Sequence, residues 1–120
     1  LSRDKNNVDV LINKGYSLHL MGKYGRAILC YKQVLKQDPD EINAIYYMSK
    51  STARQNDAKQ TCELISKLLK LQFINDLDHN HDHNHDHDHK QVHLIEKIQK
   101  DSDFKRMRTN ANFLFLLKHN

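Results

Sequence analysis

Punctuation is scarce in this chain: three glycines and a single proline in 120 residues. So few turn formers, with 38% apolar residues, fit an all-helical protein with a modest core. No apolar run approaches the roughly 18 residues that span a bilayer, and no signal-peptide pattern opens the chain. It starts at Leu1, which reads as a truncated start and leaves any native targeting segment unread. There is no phosphate-cradling glycine loop, no nucleophile elbow and no metalloprotease helix motif, so no enzyme is expected. The two cysteines, Cys30 and Cys62, fall within helix patterns and read as small apolar residues rather than a bridge. The expectation is a protein of the cytoplasm.

What is present is concentrated between Val8 and Glu41. Leu11, Gly15, Leu18 and Gly22 recur at steps of four, three and four; Tyr24, Ala27, Ile28, Tyr31, Val34 and Leu35 recur at three, one, three, three and one. Both are one-face helix patterns. Gly15 and Ala27 are small enough to let two such helices approach closely, and Met21-Gly22-Lys23 supplies the turn. The unit is an antiparallel helix pair ending at Pro39, and a single pair cannot bury both its faces. A weaker copy follows from Ile42 to Leu71. Ile45 then stands under Leu11, Ser49 under Gly15, Asn56 under Gly22, Thr61 under Ala27 and Ile65 under Tyr31, a period of 34 residues.

With that period, and with Leu11, Gly15, Leu18, Gly22, Tyr24, Ala27, Tyr31, Val34 and Pro39 in place, the chain resembles the tetratricopeptide repeat family. The resemblance implies an all-α fold of helix hairpins stacked as a short solenoid. A single helical domain over residues 8–120 is expected: repeat 1 at 8–41, repeat 2 at 42–71, an insertion at 73–90 and capping helices at 91–120. Asn6 or Asn7 is placed to cap the first helix. Asp38 is placed to cap the third, with Pro39 in its first turn and Glu41 completing a capping box. Val92, Ile95 and Ile98 suggest a fifth helix. Asp101-Ser102-Asp103 is a break and a cap, and Phe104, Met107, Phe113, Leu116 and Leu117 then cover the apolar face that two repeats leave open. Two repeats are few for a solenoid, which leaves room for an end-to-end homo-oligomer.

The insertion alternates histidine with Asp and Asn: His79, His81, His83, His85, His87 and His89. Such a tract builds no core and reads as a solvated loop. Neutral imidazoles with carboxylates bind Zn, Ni or Cu, so a divalent metal is the expected ligand of the six histidines, with low selectivity and no obligatory cofactor role. The stretch from Asp76 to His89 also holds five of the 15 acidic residues, so ten acids face 19 basic residues elsewhere, a balance of about +9. The lysines are scattered and the C-terminal cations lack a reading motif, so nucleic acid is not an expected partner.

In the resembling family the first helices of successive repeats line a concave groove that takes a peptide or partner helix. Carried over by position, that groove is Asp9, Ile12, Asn13, Tyr16, His19 and Leu20 with Asn43, Tyr46, Tyr47, Lys50 and Arg54. Tyrosines beside Lys50 and Arg54 suit an acidic or aromatic peptide, although Tyr46 and Tyr47 would serve equally as interhelical packing. The family's clamp for chaperone C-terminal carboxylates is rejected, because Ile12 and Tyr16 stand where lysine and asparagine are required. A protein-interaction scaffold is the expected function, and metal handling by the histidine tract is the alternative. His19 and His119, taken alone, read as surface residues.

Overall fold

A computed structural model describes residues 5–78 and 87–118, with side chains over 7–74 and 93–118. Six α-helices follow one another: α1 (Lys5–Leu20), α2 (Tyr24–Gln37), α3 (Ile42–Arg54), α4 (Ala58–Asp78), α5 (His87–Lys100) and α6 (Ala111–Lys118), with a 3₁₀ helix at Ser102–Thr109 before the last. No strand occurs among the described residues. α1 packs on α2, α2 on α3 and α3 on α4; α5 and α6 lie against α4, and the 3₁₀ helix lies against α3.

The repeat is written in the turns. α1 ends at Leu20 and α3 at Arg54; α2 begins at Tyr24 and α4 at Ala58. Both pairs are 34 residues apart. The amide of Gly22 donates to the His19 carbonyl at 2.9 Å and that of Lys23 to Leu18 at 2.8 Å. The amides of Asn56 and Asp57 donate to Ala53 at 2.9 Å and Thr52 at 3.0 Å. This double bond closes a helix with a left-handed residue. Gly22 has φ +80° and Asn56 has φ 62°. Asparagine tolerates that region, so the second turn forms without a glycine.

Close approach within the first pair is real. A Cβ on Gly15 would meet Tyr31 Cε1 at 2.6 Å, and both Ala27 and Tyr31 are fully buried. The largest apolar cluster lies further along. Ile45, Ala53, Ile65, Leu68 and Leu69 of the second pair join Ile98, Phe104, Met107, Phe113 and Leu117. The C-terminal segments therefore close the open face of the second pair.

Three local expectations are corrected. α1 begins at Lys5, ahead of the expected cap at Asn6 or Asn7. α3 begins only at Ile42, and its N-cap, Glu41, makes no side-chain cap bond. Asp38 instead accepts from the Asp40 amide at 3.1 Å, and the Glu41 amide donates to the Asp38 carbonyl at 3.2 Å. Pro39 is thus the second residue of a tight turn, a position its fixed φ favours, and Asp38 is used up before the helix starts. The insertion is also shorter than expected. α4 continues through Phe73 to Asp78, and α5 already contains His87 and His89. His79, His81, His83 and His85 lie outside the described residues.

Candidate functional site

α1 and α3 present their groove residues in a row, and the row divides in two. The first part is open. Asp9, Ile12, Asn13, Tyr16, Asn43 and Tyr47 line a concavity of about 340 Å³. Tyr16 is exposed and Tyr47 half-buried, with ring centroids 5.4 Å apart. Two carboxamides and two phenols converge there, able both to donate and to accept hydrogen bonds.

The second part is closed by the chain itself. Asp101 and Asp103, at the start of the 3₁₀ helix, reach the remaining groove residues. Tyr46 Oη donates to Asp101 Oδ2 at 2.8 Å. Lys50 Nζ stands 3.1 Å from Asp101 Oδ2 and 3.5 Å from Asp103 Oδ2. Arg54 Nε pairs with Asp103 Oδ1 at 2.9 Å, and His19 Nε2 lies 2.9 Å from Asp103 Oδ2. Phe104 follows into the core between Tyr46 and Phe113, with centroids at 6.2 and 5.9 Å. An acidic and aromatic segment thus occupies the cationic half of the groove, and it belongs to this protein.

Electrostatics follow from this arrangement. Burial opposes the charge on Lys50, but Asp101 and Asp103 outweigh it and hold the ammonium above its usual pKa. Burial likewise opposes ionised Asp101; bonds from the Asp103 amide, Tyr46 and Lys50 outweigh it and hold the carboxyl below the usual range. The Tyr46 phenol is pushed up by burial and by its bond to Asp101. Lys50 Nζ also lies 5.8, 5.4 and 5.7 Å from the ring centres of Tyr16, Tyr46 and Tyr47. Three rings and two carboxylates fix this lysine.

His19 departs from the surface position expected of it. It is 4% exposed, with Nδ1 2.8 Å from Ser51 Oγ and Nε2 on Asp103. A residue 84 positions away buries it, and no local pattern signals that. Ser51, His19 and Asp103 share the residue types of a nucleophilic triad, but Ser51 is 0% exposed. No substrate carbonyl reaches its hydroxyl, so this trio ties α1, α3 and the 3₁₀ helix together.

Tyr46 is buried and packs between helices, whereas Tyr47 lines the open concavity. Leu20 is 66% exposed and lines neither part. Among the described residues no group of three or more His, Cys, Asp or Glu side chains is arranged to hold a metal. Cys30 and Cys62 are free thiols. No helix among the described residues is long and apolar enough to cross a membrane. Sequence reasoning missed Asp101 and Asp103 as groove residues. The available signal was two acids just ahead of a core phenylalanine.

Residues 8–41 match the family model described as the tetratricopeptide repeat. No curated protein and no solved structure matches the chain.

Proposed function

We propose that this chain, which carries a tetratricopeptide repeat at residues 8–41, binds a partner protein segment in the open half of its concave face. The repeat supports a protein-interaction scaffold in general. One observation carries the finer reading: Asn13, Tyr16, Asn43 and Tyr47 surround an open hollow while their neighbours along the row are engaged by Asp101 and Asp103. Rigid aromatic area and paired carboxamides suit an extended segment, whose backbone amides and carbonyls need both donors and acceptors. The closed half acts as an end wall that limits how far the segment runs along α3.

The test is affinity capture with the full chain, comparing Asn13→Ala/Asn43→Ala with Leu29→Ser on the exposed face of α2. Proteins retained by wild type and by Leu29→Ser should be lost from the double variant. Retention by the double variant with loss from Leu29→Ser would overturn the reading.

The alternation of six histidines over residues 79–89 favours a second reading, in which the tract captures zinc, nickel or copper. Calorimetric titration of the intact chain and of one with the six histidines replaced by serine separates the two. Metal uptake lost with the histidines supports this reading, and unchanged uptake removes it.

A further inference from the structure

At the C-terminal end of α3 the concave face meets another hollow, of about 460 Å³. Arg54, Ser102, Asp103, Lys105, Arg106 and Thr109 line it. Three cations and two hydroxyls surround one carboxylate. That carboxylate is already engaged: Arg54 holds Asp103 Oδ1 at 2.9 Å, and His19 and Lys50 hold Oδ2 at 2.9 and 3.5 Å. Lys105 and Arg106 are exposed, and among the described residues neither forms an ion pair.

The backbone that carries these two cations is firmly placed. Phe104 on one side and Met107 on the other are buried in the main core. Arg108 Nη2 donates to the Gln99 carbonyl at 2.7 Å, fastening the 3₁₀ helix to α5. The anchored backbone keeps both cations at the rim of the hollow.

We infer that this hollow is a phosphate site, and that its ligand is a phosphorylated serine or threonine in a partner segment. Arg54, Lys105 and Arg106 against Asp103 leave a local charge of +2, which matches the roughly −1.5 to −2 of a phosphomonoester at neutral pH. Two guanidinium groups and two hydroxyls suit tetrahedral oxygens, because charge-assisted bonds to phosphate are short and strong. A nucleic acid would need a row of cations. Lys32 and Lys36 on α2 and Lys59 and Lys70 on α4 lie on helices that do not line this hollow, Arg108 is engaged by the Gln99 carbonyl and Lys50 by Asp101. One hollow with three cations suits a single phosphomonoester carried on a side chain rather than a polyanion. The inference does not depend on use of the open half.

Fluorescence anisotropy tests it with the full chain. The probe is a short fluorescein-labelled Gly/Ser peptide with one phosphoserine, compared with its unphosphorylated twin. The phosphorylated peptide should bind about tenfold more tightly, as expected for two charge-assisted bonds. Lys105→Gln/Arg106→Gln should erase that preference, while Lys32→Gln/Lys36→Gln, which removes equal charge from α2, should keep it. All four side chains are exposed, so circular dichroism should be unchanged. Absence of a phosphate preference, equal loss in both double variants, or tighter binding of labelled single-stranded DNA through Lys105 and Arg106 would each overturn the proposal.

Discussion

Asn43 and Arg54 stand at opposite ends of α3 on one concave face, and the protein treats the two ends differently. Near Asn43 the face is an open hollow of carboxamides and tyrosines with one carboxylate, Asp9, and no cation. Toward Arg54 the cations are matched to Asp101 and Asp103. The difference lies in charge. Isolated cations beside buried rings are costly, and a covalently attached pair of carboxylates relieves that cost at the high effective concentration of an intramolecular ligand. Neutral carboxamides carry no such cost and can stay hydrated without an ionic partner.

The strongest way to break this division is to remove the anchor that holds the acidic segment. Phe104 is fully buried between two aromatic rings. Phe104→Ala should cost about 3–4 kcal/mol in urea denaturation and speed tryptic cleavage after Lys105. A loss under about 1 kcal/mol would mean that the segment is only loosely attached.

Acid titration addresses the closed half. Asp101 is held below the usual carboxylate range in the folded state, so its contribution is present above the unfolded value of about 3.9 and is lost as pH falls through the lower folded value. Stability should therefore decline below about pH 4. Asp101→Asn should cost about 2 kcal/mol at neutral pH and flatten that decline. Lys50 and Tyr46 are both raised, so their contribution is complete below about pH 10 and lost above it. A decline of equal size in wild type and Asp101→Asn would assign the acid sensitivity elsewhere.

The first repeat offers smaller effects. Gly15→Ala drives a methyl into the buried Tyr31 ring and should cost about 1–2 kcal/mol, overpacking exceeding the gain in helix propensity. Smallest of all is Tyr31→Phe. The Tyr31 hydroxyl is buried with no hydrogen-bond partner among the described residues, so its removal should change stability by less than about 0.5 kcal/mol or raise it slightly. Melting curves of the two variants, set against wild type, check both.

What the sequence revealed followed from periodic contacts. Steps of three and four gave α1 to α4, and the 34-residue offset gave both turns, including the exchange of Gly22 for Asn56. Capping was harder to read, because Asp38 suits both a helix start and a tight turn, and Pro39 decides for the turn. Helix ends next to the histidine tract were hidden by composition, since alternation of His with Asp carries no helical period. The division of the groove was hidden by distance: Asp101 lies 51 residues beyond Lys50 and Asp103 lies 84 beyond His19. Residue types alone showed the cations and rings of α3 but not that Asp101 and Asp103 of the same chain meet them.

The most direct test of the closed half is a double-mutant cycle on Lys50 and Asp101, using Lys50→Met, Asp101→Asn and the combined variant in urea denaturation at pH 7. The account predicts a coupling of about 1–2 kcal/mol, weakened by salt less than a surface pair would be. Additive losses, with coupling under about 0.3 kcal/mol, would contradict it and return Lys50 to the open groove.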